Sequence, residues 1–135
     1  MKVIIVEGLD NTGKTTIIEE IKKLFNTERT HVIHCGKPEG ETNEEQAANQ
    51  NKLFSDIAKE LINYKINKTY DAVILDRAWY GEYVYGQLYR QHDSFDILTN
   101  IYQIEDSLKV CFDEKDLSLI FLDVEDPMFC VRHDD

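Results

Sequence analysis

Residues 8 to 15 contain the pattern that most constrains the fold of this chain: a glycine, four intervening residues, and then Gly-Lys-Thr. The octet reads GLDNTGKT. A short apolar run at residues 3–6 precedes it and suits a buried parallel strand. After it, apolar side chains recur at helical spacing, at positions 17, 18, 21, 24 and 25. The sequence therefore predicts a strand, a phosphate-binding loop and a helix in direct succession.

The residue types of this loop suit a polyphosphate. Gly8 and Gly13 permit close approach of the backbone, whose N–H groups can then surround phosphate oxygens beside the positive end of the following helix. Lys14 adds a charge near the outer phosphates, and the Thr15 hydroxyl is placed to bind Mg²⁺. The alternative is a glycine turn that happens to precede a helix. The residues expected to bind the phosphate donor are Gly8, Asn11, Thr12, Gly13, Lys14, Thr15 and Thr16.

Length and charge limit the class of protein. A chain of 135 residues is long enough for one domain with one core, and its composition, 42 % apolar and 30 % charged, is that of a globular protein. Its formal net charge of −11 opposes non-specific nucleic-acid binding, which needs a basic surface. A small anionic ligand remains compatible, because a pocket can be positive in an acidic protein.

The sequence also favours a cytoplasmic setting. It contains no apolar run of membrane-spanning length and no secretory signal at its start. Cys35, Cys111 and Cys130 are few and widely spaced, which suggests a reducing compartment and no zinc site. We expect each cysteine to be a small core residue rather than a nucleophile.

Strand and helix patterns alternate along the rest of the chain. Strands are predicted at 31–35, 71–76 and 117–123, and a capping box at Thr42 to Glu45 opens a long helix whose apolar stripe ends at Ile62. Further helices are predicted at 79–90, across 97–108 and from Pro127 onward, although Gly81 and Gly86 weaken the first of these. This alternation predicts an α/β fold in which helices cover both faces of a parallel sheet of about four strands.

Chemically informative residues follow the predicted strands. Ligands of such sheets bind beyond the carboxyl ends of the strands, where Lys37 follows the second strand and Asp76-Arg77 follows the third. Asp76 can hold Mg²⁺, and Arg77 can bind an acceptor phosphate or the charge of the transferring group. Alone, the pair would more often be an aspartate that closes a strand and an arginine that pairs with an acidic surface. The neighbouring phosphate loop favours the functional interpretation.

Two segments resemble the thymidylate kinase family, whose wider group includes the deoxynucleoside kinases. They are residues 7–16, EGLDNTGKTT, and residues 76–85, DRAWYGEYVY. The resemblance implies a three-layer P-loop NTPase fold. It also implies transfer of the γ-phosphoryl group of ATP, with Mg²⁺, to a nucleotide or nucleoside. The resemblance is also compatible with a homodimer.

The resemblance implies roles residue by residue. Catalytic roles fall on Asp10, Lys14, Asp76 and Arg77, and metal binding on Thr15 and Asp76. Phe54 falls where the family stacks a phenylalanine on the base, and Tyr85 falls near the sugar. The implied substrate-binding residues are Asp10, Lys37, Phe54, Arg77 and Tyr85. The family's base-reading arginine is replaced here by Ala58, so the base is left open.

The family pattern extends beyond the end of this sequence at Asp135. Kinases of the group continue through an arginine-rich lid, a fifth strand and a final helix, and Arg132 would be the first residue of that lid. We therefore expect residues 1–135 to form a single kinase domain that is incomplete at its C-terminus. A fragment and a naturally short protein with weakened or lost catalysis both stay open.

Other residues carry weaker expectations. Aromatic side chains crowd the helix at 79–90, where core packing is favoured for all but Tyr85. Glu82 is expected to be exposed. Structural or solvent-facing roles are expected for His31, His34, His92 and His133.

Three functions stay open at this point. The first is a kinase for a nucleoside monophosphate, whose oxyanion needs no general base. The second is a kinase for a nucleoside or a modified base in DNA, which would need Asp10 or Glu7 as a base. The third is a nucleotide-binding regulator without turnover.

Overall fold

Four strands and four helices alternate in the computed structural model, which describes residues 1–8, 13–36 and 38–122, apart from the side chains of residues 89 and 90. The strands are β1 (Lys2–Glu7), β2 (Thr30–His34), β3 (Ala72–Asp76) and β4 (Leu117–Phe121). The helices are α1 (Lys14–Lys22), α2 (Asn43–Ile66), α3 (Trp79–Arg90) and α4 (Ser94–Cys111). Single 3₁₀ turns at Thr27–Arg29 and Glu114–Asp116 lead into β2 and β4.

The four strands form one parallel sheet in the order β2-β3-β1-β4. The connection from β1 to β2 runs toward one edge of the sheet, whereas those from β2 to β3 and from β3 to β4 run toward the other. Since parallel crossovers are right-handed, α1 must cover one face and the remaining helices the opposite face. The packing follows this rule, because α2, α3 and α4 contact one another and α1 contacts β1 and β3.

The core is split by the sheet into two apolar clusters. Successive side chains of a strand point to opposite faces, so Val3 and Ile5 of β1 join α2, α3 and α4, whereas Ile4 and Val6 join Ile18 of α1. Both central strands are buried on both faces, apart from Lys2 at the start of β1 and Asp76 at the end of β3. Their continuous apolar runs are therefore explained by burial on two sides.

Local signals determine where the helices begin. The Thr42 hydroxyl accepts a hydrogen bond from the backbone N–H of Glu45 at 3.1 Å, which confirms the predicted cap of α2. The reciprocal bond of the capping box is displaced by one residue, because the Glu45 carboxylate accepts from the N–H of Glu41 at 3.0 Å. Asp93 caps α4 by accepting from the N–H of Phe95 at 2.7 Å.

The predicted α/β class and the three layers are confirmed. The observed β4 ends at Phe121, and the predicted helix from Pro127 and residue Arg132 lie outside the described residues. Helix α3 covers the whole of the predicted stretch despite Gly81 and Gly86. None of the helices in the described part of the chain is long and apolar enough to cross a membrane.

Leu61 provides a direct test of the core. Its side chain is fully buried in the cluster beneath α2, so Leu61→Ala should lower the free energy of unfolding by about 2–5 kcal/mol through lost apolar contact and the cavity left behind. The matched control is Leu24→Ala, because Leu24 is 77 % exposed, and we expect a change within about 0.5 kcal/mol. Urea unfolding of both variants measures the difference, and equal losses would contradict this core.

Candidate phosphate-binding site

The carboxyl ends of β1 and β3 lie side by side, with Val6 in register with Asp76. The chain leaves these two neighbouring strands in opposite directions along the sheet. Such a switch point opens a crevice at the carboxyl edge, which is where open α/β sheets bind their ligands. The predicted phosphate loop follows β1 in the sequence and Asp76-Arg77 follows β3, so the fold brings Lys14 of the first predicted motif to Asp76 of the second.

Lys14 and Asp76 meet in this crevice. The Lys14 Nζ atom lies 2.9 Å from Asp76 Oδ1, and only 7 % and 18 % of the two side chains are exposed. Gly13 stands immediately before α1 in the left-handed region, with φ of 83°, a conformation that costs a non-glycine residue about 1 kcal/mol or more. Helix α1 thus begins with Lys14 beside the end of β3.

Asp76 is held from two sides. Its Oδ2 atom lies 2.8 Å from Nδ1 of His34, the residue opposite it on β2. Burial alone would raise the pKa of Asp76, but the hydrogen bonds and charges of Lys14 and His34 outweigh it and lower the pKa. The carboxyl is therefore an anion at neutral pH. The expectation that His34 is structural or solvent-facing agrees with its side chain, which is 71 % exposed. Its Nδ1 atom in addition contacts the Asp76 carboxylate.

The oxygen nearest Lys14 retains bonding capacity. Asp76 Oδ1 is buried, and among the described residues the Lys14 ammonium is its one close polar contact, at 2.9 Å. A hard cation such as Mg²⁺ fits such an oxygen. The described residues contain no group of three or more His, Cys, Asp or Glu side chains that could hold a metal. A site completed by Thr15 and by phosphate oxygens is consistent with that, because Mg²⁺ commonly takes only one or two protein carboxylates.

Glu7 connects the two motifs through the protein interior. Its side chain is fully buried at the end of β1. One carboxylate oxygen accepts from the N–H of Ala78 at 3.1 Å and the other from the N–H of Gly81 at 2.6 Å, at the start of α3. A Cβ on Gly81 would lie 2.8 Å from the Glu7 carboxylate, so this glycine allows the approach. Burial raises the pKa of Glu7 to about 7 despite the opposing effect of these backbone bonds.

Arg77 occupies a strained turn. Its φ of 69° lies in the left-handed region, which costs a residue with a side chain about 1–3 kcal/mol unless its surroundings impose it. The N–H of Arg77 donates to the carbonyl of Val6 at 2.9 Å, and Glu7 holds the next turn. The end of β1 therefore imposes the backbone shape at the end of β3, where strain is a recurrent mark of functional sites.

The predicted substrate residues are less closely assembled. Phe54 is 2 % exposed and lies edge-on to Trp79, with ring centroids 6.4 Å apart, so a base stacked on it would have to replace a core contact. Tyr85 is half-buried on α3, and Ala58 is buried in the core. Asp10, Asn11, Thr12 and Lys37 lie outside the described residues. The roles of these residues stay predictions.

The expectation that Glu82 is exposed is wrong, because its side chain is buried. It is 4 % exposed and its carboxylate lies 3.0 Å from Nδ1 of His92, which is 8 % exposed. The signal that could have found it is Gly86, four residues later on the same helix face. A Cβ on Gly86 would collide with the Glu82 carboxylate, so both glycines of α3 make room for buried carboxylates.

Comparison with known proteins supports the fold. Similarity is found to the crystal structure of thymidylate kinase from Ehrlichia chaffeensis, with a TM-score of 0.53 and 18 % sequence identity, over 97 % of this chain and 81 % of that one. The sequence matches no protein-family profile and no curated protein at a significant level. The chain therefore shares the kinase-like fold of this structure. At this level of sequence identity the similarity shows the fold and does not show a family.

The raised pKa of Glu7 predicts a specific pH dependence of stability. The ordinary value for the unfolded chain is 4.5 and the folded value is about 7, so between these values the folded protein holds a proton that the unfolded chain has released. The contribution of Glu7 to stability is therefore complete below pH 4.5 and is lost as the pH rises through 7. The shift corresponds to roughly 3 kcal/mol.

Chemical unfolding of wild type and Glu7→Gln between pH 4.5 and 8.5 measures this effect. Because glutamine does not titrate, the stability of wild type relative to the variant should fall by roughly 3 kcal/mol across this range. The control is Glu19→Gln, which removes a carboxylate that is 59 % exposed on α1 and is unfolded under the same conditions. A constant difference for Glu7→Gln would show that Glu7 is ionised throughout.

Proposed function

We propose that this chain is a P-loop kinase that transfers the γ-phosphoryl group of ATP, with Mg²⁺, to a (deoxy)nucleoside monophosphate. The observation that carries the proposal is the contact of Lys14 Nζ with Asp76 Oδ1 at 2.9 Å, in the crevice between β1 and β3. A cation from a glycine loop and a carboxylate from the adjacent strand are the two groups that bind the phosphates and the metal in such enzymes. The fold shared with a thymidylate kinase supports a nucleotide as the acceptor class.

Residues of the loop would bind the donor. The N–H groups from Gly13 to Thr16 lie at the amino end of α1, where the helix dipole favours an anion. Lys14 would exchange the Asp76 carboxylate for phosphate oxygens, which leaves Asp76 available to the metal. Thr15 and Asp76 would hold Mg²⁺. When bound, Mg²⁺ neutralises the charge that the β- and γ-phosphate oxygens carry.

Arg77 would position the acceptor. It directly follows Asp76, and the bonds of Val6 and Glu7 hold its backbone in one shape. The guanidinium that this turn carries could bind two oxygens of a phosphate at once, and positioning of the substrates is the main source of catalysis in phosphoryl transfer. Asp10, Lys37, Phe54 and Tyr85 are proposed to contact the sugar, the phosphate or the base.

The environment of Glu7 favours an acceptor that needs no general base. A nucleoside hydroxyl would have to lose its proton to a nearby carboxylate. Both oxygens of Glu7 already accept backbone hydrogen bonds, and the residue is fully buried. Glu7 is therefore proposed to position α3, and a monophosphate oxyanion remains the best-matched nucleophile. The net charge of −11 disfavours a nucleic-acid substrate, and a homodimer and a cytoplasmic location stay predictions.

Lys14→Ala tests this proposal. We expect phosphoryl transfer from ATP·Mg²⁺ to a panel of nucleoside monophosphates to fall by a factor of about 10³ or more, because charge stabilisation at the phosphates is lost. Product formation is measured by chromatography of the nucleotides. Circular dichroism confirms that the variant folds, since the substitution leaves Asp76 without its lysine partner.

The control is Lys23→Ala, which removes a lysine that is 70 % exposed just after α1 and should retain wild-type turnover. Equal turnover in Lys14→Ala and wild type would refute the kinase proposal. Binding of ATP without any product from monophosphates or nucleosides would instead favour a nucleotide-binding regulator.

A further inference from the structure

His34 lies beside the candidate phosphate site, on a strand that carries none of the proposed donor-binding residues. It ends β2 at the carboxyl edge of the sheet, in register with Asp76 of β3. The backbone on either side of it is fixed, because Ile33 is in register with Leu75 and the N–H of Cys35 donates to the carbonyl of Asp76 at 3.1 Å. The imidazole therefore reaches the carboxylate from a rigid strand rather than from a loop.

The Asp76 carboxylate stands between two nitrogen groups along the edge of the sheet. On the β1 side, Lys14 Nζ lies 2.9 Å from Oδ1, and on the β2 side, Nδ1 of His34 lies 2.8 Å from Oδ2. The end of an aspartate side chain rotates over a broad range of χ2 angles, so its rotamer alone does not fix the two oxygens. These two contacts therefore decide which oxygen faces Lys14 and which faces β2.

The hydrogen shared in the second contact belongs to His34. Burial raises the pKa of Asp76, but the hydrogen bonds and charges of Lys14 and His34 outweigh burial and lower it, so the carboxyl is ionised at neutral pH. An ionised carboxylate only accepts hydrogen bonds. Nδ1 of His34 must therefore carry a hydrogen and donate it to Oδ2 of Asp76.

Binding of a phosphate donor would remove one of the two contacts. In the proposed function Lys14 moves from Asp76 to phosphate oxygens, while the carboxylate, which is only 18 % exposed, keeps its contact with His34. Removing one partner of a buried charge pair is costly unless other groups compensate. Hydrogen bonds to a metal-binding carboxylate orient it, and their loss typically weakens metal binding by about 10- to 100-fold.

We propose that His34 is a positioning residue for Mg²⁺ binding, because its Nδ1–H holds Oδ2 of Asp76 and so keeps Oδ1 directed at the crevice between β1 and β3. The inference rests on the proposed kinase function and adds a residue of β2 to the groups that prepare the metal site. A purely structural role predicts something different. A polar contact whose histidine is 71 % exposed contributes little to stability, and its loss would leave metal binding unchanged.

Titration calorimetry of ATP, with and without Mg²⁺, tests the inference in three variants. His34→Ala should bind ATP alone within about twofold of wild type, but its gain in affinity from Mg²⁺ should fall from about tenfold or more to about threefold or less. His34→Asn should restore the gain, because its amide N–H can donate from nearly the position of Nδ1. The matched control is His31→Asn, which replaces a histidine of the same strand that stacks on Tyr70 and should keep the wild-type gain.

A second measurement uses wild type without nucleotide or metal. NMR spectra of the histidine ring nitrogens should show a hydrogen on Nδ1 of His34 at neutral pH, and a hydrogen on Nε2 alone would overturn the inference. An equal gain from Mg²⁺ in His34→Ala and wild type, or an equal loss in His34→Ala and His34→Asn, would also overturn it. These results would leave the kinase function standing, whereas no binding of ATP by wild type would refute that function together with the inference.

Discussion

The buried carboxylate of Glu7 is the contact on which the candidate site depends. It stands at the end of β1, one residue before the phosphate loop, and accepts the backbone N–H groups of Ala78 and Gly81 at the start of α3. Those N–H groups belong to the first turn of the helix and its entry, which have no partners within the helix itself. One side chain thereby holds the residues after β3 against the residues after β1. These bonds therefore hold together the two motifs to which the sequence assigns phosphate chemistry.

The rest of the site follows from this attachment. With the turn after β3 held, Arg77 is kept in a left-handed conformation and Asp76 faces Lys14 across the switch point. Helix α3 then extends from this turn, and its first turn carries Glu82, whose carboxylate lies 3.0 Å from Nδ1 of the buried His92.

Much of the fold could be predicted because its signals are local. The apolar strands and the capping threonine of α2 each depend on a few neighbouring residues, and both were found where expected. The two buried glutamates could not be predicted in this way. Glu7 and Glu82 read as polar residues at the end of a strand and on a helix, and only their distant partners in α3 and at His92 explain their burial. Gly81 and Gly86 were the visible signs of these carboxylates, although helix propensity alone counts them as defects.

The proposed roles of the base-contacting residues depend on long-range packing in the same way. Phe54 and Tyr85 have suitable positions along their helices, but the environment of each ring is decided by the sheet and by α3. Phe54 is buried against Trp79, a contact that its position on the apolar stripe of α2 does not reveal.

The central claim is that the ends of β1 and β3 together form a site for a polyphosphate and a metal. Calorimetric titration of ATP, with and without Mg²⁺, into wild type and Asp76→Asn tests it most directly. The account predicts that Mg²⁺ tightens ATP binding at least tenfold in wild type and that this gain disappears in Asp76→Asn, whereas binding without Mg²⁺ persists in both. An identical gain from Mg²⁺ in the two proteins, or no ATP binding by wild type, would contradict the account.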